Sequence, residues 1–215
     1  MKLYLYEHCP FCARVRYVAA MLNVSLQLVP IAYDDEQTTT EIIGIKQVPL
    51  LIKDNGEALA ESEMIIDYLL RVANCQQSPQ PSQQILDWQQ KAFLPLQKLG
   101  YPRWAQMGLP EFQTQASQLA WRLKKETEQL NFERLVRDTA QIADEVQALI
   151  AEAKALLHIS GFQKLSLVNE GVLFSILRGF ASAPEVQWDK EVKQWLDAIS
   201  TETHIALLTE ESFHD

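Results

Sequence analysis

Residues 3–22 read LYLYEHCPFCARVRYVAAML. The apolar run from Leu3 to Tyr6 predicts a β-strand, and the segment from Cys12 to Leu22 has a helical pattern. Cys9 lies between them, where a thiol would face the exposed N–H groups and the positive end of the helix dipole. Both effects stabilise a thiolate, so Cys9 is the candidate nucleophile.

The pairing of this cysteine with a second one three residues later indicates redox chemistry, because two such thiols can close a small disulfide ring. A zinc site and two buried structural thiols are the alternatives. Structural zinc takes four protein ligands, and His8, Cys75 and three isolated histidines supply no second ligand pair. Arg14 and Arg16 are candidates either for positive potential near Cys9 or for ordinary surface contacts. A Cys-x-x-Cys motif near a βαβ pattern favours the redox interpretation.

Composition limits the class of protein. The chain has 215 residues, 47% of them hydrophobic, enough for one or two globular domains. No apolar stretch reaches the roughly 18 residues of a membrane span, and the N-terminus lacks the pattern of a secretory signal. The net charge of −9 argues against a nucleic acid partner. We therefore expect a soluble, cytoplasmic protein that binds no membrane and, with no clear interface pattern, is a monomer.

The first 74 residues alternate short apolar runs with helical segments. Further strands are predicted at Leu26–Ile31, Leu50–Lys53 and Ala58–Ala60, and helices around Thr40–Ile43 and from Ser62 onward. Asp54-Asn55-Gly56 has a turn signature between the last two strands. This order predicts a βαβ unit that ends in an antiparallel hairpin.

The rest of the chain has a different pattern. Residues 75–82 are polar and contain two prolines, which is typical of a linker. Residues 83–215 carry only helical patterns, so we predict an all-α domain there. Two of its apolar stripes are Phe112, Ala116, Leu119 and Leu123, and then Val168, Val172, Ile176 and Phe180. The second stripe is expected to form the buried centre of the domain.

Two later motifs give the N-terminal domain a family resemblance. Gln47-Val48-Pro49 precedes the third strand, and Glu61-Ser62 stands at the start of the next helix. With the cysteine pair, they resemble a glutaredoxin within the thioredoxin fold. The resemblance implies an α/β thioredoxin-fold N-terminal domain, built as a mixed four-stranded sheet with flanking helices.

The helical half narrows the resemblance. Lys124-Lys125-Glu126, Asn131-Phe132 and the total length are similar to the bacterial glutaredoxin 2 family. That family joins a glutaredoxin domain to an all-α, glutathione-transferase-like C-terminal domain. The match over the first 74 residues is specific, and the match over the helical half is looser.

The resemblance assigns roles at the cysteine pair. Cys9 would attack the substrate, and Cys12, one turn further into the helix, would act as the resolving thiol. Pro10 would fix the backbone between the two sulfurs. Phe11 would contact glutathione, although it stands where many members of the family have tyrosine and so provides no hydroxyl.

The resemblance also places Val48-Pro49 opposite the cysteines. We expect a cis peptide bond there; the alternative is a trans proline at the start of a strand. The backbone of Val48 could then pair with the cysteine unit of glutathione. Lys46 and Gln47 are candidates for the glycyl carboxylate.

The remaining binding groups are Glu61 and Ser62. Ser62, predicted as the N-cap of its helix, would present the first helical amides to the γ-glutamyl carboxylate, and Glu61 would accept from the γ-glutamyl ammonium. Taken alone, the two residues would be read as an ordinary cap preceded by a solvated acid. In the context of the other motifs, we favour the binding role.

The resemblance implies a glutathione-dependent thiol–disulfide oxidoreductase that uses glutathione as its reductant and needs no metal. Its partners would be glutathione, glutathionylated or disulfide-containing proteins, and small disulfides. Three alternatives remain: a glutathione transferase, a dimer that binds an iron–sulfur cluster through glutathione, and a helical interaction module.

Overall fold

A four-stranded mixed sheet opens the chain in this computed structural model, which describes residues 1–158 and 165–213. The strands are β1 (Lys2–Leu5), β2 (Gln27–Pro30), β3 (Leu50–Ile52) and β4 (Ala58–Ala60), in the order β2-β1-β3-β4. β1 runs parallel to β2 and antiparallel to β3, so that Leu3 lies opposite both Leu28 and Leu51. The mixed sheet predicted from the sequence is confirmed.

The predicted hairpin is also confirmed. β3 and β4 pair in antiparallel register, and the N–H of Lys53 donates to the carbonyl of Glu57 across the turn at 2.9 Å. Gly56 has a φ of 86° in this turn, a left-handed conformation that glycine adopts without a steric penalty.

Three helices accompany the sheet: α1 (Pro10–Met21), α2 (Thr38–Ile43) and α3 (Ser62–Val72). α1 and α3 pack against each other. Val15 and Val18 of α1 and Ile65 and Leu69 of α3 are fully buried, as their spacing along each helix predicts. This packing fixes the N-terminus of α1 relative to the sheet.

Residues 73–82 contain no helix or strand, and the part of the chain described beyond them is helical. Its α-helices are α4 (Gln83–Trp104), α5 (Gln115–Lys125), α6 (Phe132–Arg137), α7 (Thr139–His158), α8 (Leu167–Phe180) and α9 (Lys190–Thr203). Two short 3-10 helices lie at Pro110–Phe112 and Glu210–Ser212. The helical character predicted for this half is confirmed.

α8 is the centre of the helical half. Val168, Val172, Ile176 and Phe180 are all buried, as predicted. α8 packs on α4 and α7 within the helical half and also on α1 of the N-terminal half. Gly171 permits this second contact, since a Cβ atom there would lie 3.1 Å from the Tyr17 ring. The interface therefore places the backbones of α1 and α8 close together.

The stripe predicted from Phe112 to Leu123 is wrong as a single buried face. Phe112 ends a 3-10 helix, and α5 begins separately after it. Leu119 and Leu123 are 57% and 76% exposed, whereas Ser117 and Trp121 are buried. Trp121 donates from Nε1 to the Tyr101 carbonyl at 2.8 Å and packs on the Phe112 ring, so this face of α5 lies inward.

Candidate active site

Cys9 occupies the N-cap position of α1. Its backbone is extended (φ −71°, ψ 120°), and Pro10 is the first helical residue. Proline suits that position because the N–H it lacks would have no partner within the helix. Cys9 is partly buried, whereas Cys12, on the first turn of α1, is fully buried. The more accessible sulfur is therefore the one at the helix start.

The pKa values of the two thiols are shifted in opposite directions. A hydrogen bond from the Cys12 thiol lowers the pKa of Cys9 to about 6, with further help from His8 and the N–H groups of Cys12 and Phe11, although burial opposes the change. Burial raises the pKa of Cys12, and its bond to Cys9 raises it further. At neutral pH the pair is therefore a Cys9 thiolate beside a protonated Cys12.

Two cavities meet near this pair. The first, which we call the groove, has a volume of about 740 Å³ and is lined by Phe11, Gln47, Val48, Pro49, Glu61, Ser62, Glu63, Met64, Asp67, Pro79 and Gln80. Its walls thus come from residues 11–80 alone. The predicted cis peptide bond at Val48-Pro49 is confirmed.

The second cavity, which we call the cleft, has a volume of about 360 Å³ and lies between the sheet half and the helical half. Cys9, Pro10 and Lys46 line it, together with aromatic residues of both halves. Phe11, Gln47 and Val48 line both the cleft and the groove. Each sequence-predicted binding residue therefore lines at least one cavity, and Cys9 itself opens into the cleft.

Glu61 and Ser62 lie at the start of α3, but the N-cap residue is one position earlier than predicted. α3 begins at Ser62, and Glu61 is the N-cap residue, with a φ of 68°. The prediction of Ser62 as N-cap is wrong because this left-handed turn at Glu61 makes Ser62 already helical. Gln47 Nε2 donates to Glu61 Oε1 at 2.8 Å, which joins two predicted binding residues.

Lys46 is engaged within the protein. Its Nζ donates to the Tyr33 carbonyl at 2.5 Å and to Glu36 Oε1 at 2.7 Å. It also lies 5.2 Å from the centroid of the Tyr33 ring. Lys46 lines the cleft and does not line the groove, whereas the adjacent Gln47 lines both.

Phe11 lies where the cleft and the groove adjoin and lines both of them. Its ring stacks on Phe93 of α4 with a centroid distance of 5.7 Å, and the Arg14 guanidinium lies 4.9 Å from the Phe11 ring centroid. Arg14 is buried, and its Nε and one terminal nitrogen have no hydrogen-bond partner. Burial lowers the pKa of Arg14 to about 10, and Cys9 opposes this change. Arg14 therefore contributes positive charge near Cys9 and is not a surface residue.

Sequence reasoning missed the side chains that hold the turn before Cys9. Glu7 accepts two bonds of 2.7 Å from Arg16, and Arg178 of α8 donates to the Glu7 backbone carbonyl and to Glu7 Oε1, both at 2.8 Å. The adjacency of Glu7 to the cysteine motif was a signal. No local pattern indicated Arg178, which lies 171 residues from Glu7.

His8 is held in the same way by a second residue of the helical half. The His8 backbone N–H donates to Glu111 Oε1 at 2.9 Å, and His8 Nδ1 lies 2.6 Å from the same oxygen. The imidazole is enclosed by aromatic rings at centroid distances of 4.8 to 5.5 Å, those of Tyr6, Trp104, Phe112 and Trp121. The sequence suggested His8 only as a metal ligand.

No group of three His, Cys, Asp or Glu side chains that could hold a metal ion occurs in residues 1–158 and 165–213. Over the same described ranges, no helix combines the length and the apolar character needed to span a bilayer.

Comparison with family models matches both halves of the chain. Residues 84–212 match the model "Glutaredoxin 2, C terminal domain", and residues 3–79 match "Glutathione S-transferase, N-terminal domain". Glutaredoxin 2 of Escherichia coli strain K12 is 29% identical over 214 residues, which cover 97% of this chain and 98% of that protein.

Two solved structures are similar to this chain over nearly its whole length. Glutaredoxin 2 of Salmonella typhimurium in complex with glutathione superposes with a TM-score of 0.85 and 28% identity, over 99% of this chain and 97% of that one. Gtt2 of Saccharomyces cerevisiae superposes with a TM-score of 0.57 and 18% identity, over 93% and 96% of the two chains. The yeast structure shows that the fold is shared.

Proposed function

The chain belongs to the glutaredoxin 2 family, and from this we propose that it is a glutathione-dependent thiol–disulfide oxidoreductase. The observation that carries the proposal is the unequal cysteine pair at the start of α1. The lowered pKa of Cys9 gives a nucleophilic thiolate, and Cys12 stays protonated as its hydrogen-bond donor.

In the monothiol reaction, the Cys9 thiolate attacks the glutathione sulfur of a mixed disulfide. That S–S bond breaks, the substrate leaves as a thiolate that takes a proton from water, and Cys9 becomes glutathionylated. A second glutathione thiolate then attacks this adduct, releases glutathione disulfide and regenerates the Cys9 thiolate. Cys12 takes no part in bond exchange along this route.

A protein disulfide requires the second cysteine. Cys9 would form a mixed disulfide with the protein, and Cys12, after losing its proton, would attack Cys9 and release the reduced protein. The resulting Cys9–Cys12 disulfide would be reduced by two glutathione molecules. The raised pKa of Cys12 suits this later step, because Cys12 then competes little with Cys9 for the first attack.

We place glutathione in the groove, with its sulfur toward Cys9. Val48 would pair with its cysteine unit through the backbone, and the first amides of α3, at Ser62, would face the γ-glutamyl carboxylate. Glu61 would accept from the γ-glutamyl ammonium, and Gln47 would meet the glycyl end. The Salmonella relative was solved in complex with glutathione, which supports glutathione as the ligand of this chain.

We also propose the setting in which the protein works. Its substrates would be glutathionylated or disulfide-containing proteins and small disulfides, reduced by cytoplasmic glutathione. A monomer suffices for this chemistry, because both cysteines and the groove belong to one chain. We divide the chain into a redox domain (1–74), a linker (75–82) and a helical domain (83–215).

The test is a glutathione-coupled assay of mixed-disulfide reduction on the wild type, Cys9→Ser and Cys12→Ser. We expect Cys9→Ser to abolish turnover and Cys12→Ser to keep much of it. Comparable activity in the two variants would contradict the assignment. If conjugation of glutathione to a chlorinated aromatic exceeds disulfide exchange, the protein is a transferase instead. Visible absorbance of the purified protein would indicate an iron–sulfur cluster.

A further inference from the structure

The two residues that precede Cys9 are both anchored in the helical half of the chain. Arg178 holds Glu7, and Glu111 holds His8 through both its backbone N–H and its ring. Bonds at the backbone fix the position of the turn, and a bond at the imidazole Nδ1 fixes the orientation of the ring. The helical half therefore contacts the turn that immediately precedes Cys9 and holds it in place.

Glu111 is an unusual partner because it is completely buried. It is 0% exposed, and its second carboxylate oxygen, Oε2, has no hydrogen-bond partner. A buried carboxylate is stable only near compensating positive charge. The His8 ring contacts it directly, with Nδ1 2.6 Å from Glu111 Oε1. Arg178 also interacts with Glu111 but directs its hydrogen bonds to Glu7 and to the Ala206 carbonyl.

The charges of the surrounding cluster nearly cancel. Arg16 and Arg178 carry as many positive charges as Glu7 and Glu111 carry negative ones, and His8 acts electrostatically on Cys9 in the direction that lowers the pKa of its thiol. The titratable and charged groups that interact electrostatically with Cys9, His8 or Glu111 are Tyr6, Cys12, Arg14, Tyr101, Lys125 and Arg178, and the Tyr33 ring also faces His8. Among the side chains that the structure describes here, the His8 ring is the one hydrogen-bonded to Glu111.

We propose that Glu111 is a positioning residue for Cys9, which holds the His8 ring next to Cys9 so that the imidazole favours the thiolate. This proposal rests on the assignment of Cys9 as the nucleophile. It gives the helical half a part in the chemistry, through one carboxylate that does not touch the substrate.

The direction in which Glu111→Gln shifts the pKa of Cys9 distinguishes this role from a direct electrostatic effect of Glu111 on Cys9. Glu111→Gln keeps the size of the side chain and an acceptor oxygen for His8 but removes the negative charge. Losing a nearby negative charge would by itself favour the Cys9 thiolate. If Glu111 acts through the His8 ring, the variant instead weakens the favourable effect of His8 on Cys9, and the thiolate becomes less favourable.

The experiment measures the rate of iodoacetamide alkylation of Cys9 against pH in the full chain, in a Cys75→Ser background, with mass spectrometry to assign the site. We expect the midpoint for Glu111→Gln to rise by about 0.5 to 1 pH unit. The matched control is Glu170→Gln, since Glu170 is also a buried glutamate of the helical half and accepts a 2.7 Å bond from Tyr17 of α1. Its midpoint should stay at the wild-type value.

A double variant tests whether Glu111 acts through His8. His8→Gln alone should raise the midpoint, and adding Glu111→Gln to it should leave the midpoint unchanged or lower it. An unchanged or lower midpoint in Glu111→Gln alone, an equal rise in Glu170→Gln, or a further rise in the double variant would overturn the proposal. Should Glu111→Gln not fold, an unchanged midpoint in His8→Gln would overturn it equally.

This experiment is independent of the disulfide assay. Alkylation needs no disulfide substrate, so a wild-type protein without exchange activity would defeat the proposed function and still give a Cys9 titration. Active wild-type protein with no upward shift in Glu111→Gln would defeat the role of Glu111 alone.

Discussion

The Arg178 guanidinium lies 2.8 Å from both the backbone carbonyl and the carboxylate of Glu7. Arg178 is completely buried in α8, and Glu7 stands two residues before Cys9. Arg178 also donates to the Ala206 carbonyl near the end of the described chain. One side chain therefore connects the turn before Cys9, the central helix and the segment that follows α9.

Replacing Arg178 with methionine should destabilise the protein strongly. The variant leaves the Glu7 carboxylate with Arg16 alone and leaves two backbone carbonyls without this donor. We expect a loss of about 3 kcal/mol in the free energy of unfolding, at the lower end for a broken buried pair because Arg16 remains. Denaturant unfolding measures it. Arg137→Ala, which breaks an exposed pair with Asp138, should cause little change. Equal effects would refute the role of burial.

Glu7 should make stability depend on pH. Burial would raise the pKa of Glu7, but Arg178 and Arg16 outweigh it, so the net pKa is lowered. A depressed folded-state pKa stabilises the fold above the unfolded-state value, about 4.3, and this contribution is lost as the pH falls through the folded-state value. Glu7→Gln should therefore be less stable at pH 7 and lose less stability below about pH 4.3. Denaturant unfolding at several pH values checks this, and parallel curves would contradict it.

The hydrogen bond from Cys12 should control the reactivity of Cys9. Because this bond is the largest cause of the lowered Cys9 pKa, Cys12→Ala should move the midpoint of Cys9 alkylation up from about 6 toward that of an ordinary thiol. Cys12→Ser retains an O–H donor and should move it less. Iodoacetamide rates across a pH series compare the two variants. Equal shifts would mean that the donor is not the cause.

Glu61 should affect the binding of glutathione more than turnover. Glu61→Gln keeps an amide oxygen for the γ-glutamyl ammonium but removes the charge, so we expect the KM for glutathione to rise about fivefold, with a smaller change in kcat. Steady-state kinetics of mixed-disulfide reduction measure both constants. Glu57→Gln is the control, since Glu57 is an exposed glutamate that follows the hairpin turn and does not line the groove. An unchanged KM in Glu61→Gln would remove Glu61 from the binding site.

Local patterns predicted most of the fold and the position of the cysteine pair within it. The strands, α1, the hairpin and the buried stripe of α8 follow from residue periodicity, and the cysteine pair marked the start of α1. One error came from the backbone geometry of a single residue, since the positive φ of Glu61 shifted the cap of α3 by one residue. The other came from tertiary contacts, since Trp121 bonds to Tyr101 and packs on Phe112 and is buried in place of Leu123.

The residues that support Cys9 from the helical half could not be predicted in the same way. Glu111 lies 103 residues from His8, and a lone glutamate beside a proline reads as a solvated surface acid. Its burial depends on how the 3-10 helix meets the turn before α1, which no local pattern encodes. Long-range pairing of charged residues becomes visible only when the two halves are placed together.

The close approach of α1 and α8 at Gly171 has a consequence for protein engineering. A chimera that grafts residues 1–74 onto an unrelated helical partner would carry the cysteines and the groove but would lose Arg178 and Glu111. The recipient must then supply an arginine and an acid at matching depth, and a residue as small as glycine where its helix crosses α1. The N-terminal half therefore cannot be transferred alone to another protein. The two halves must be exchanged together as one unit.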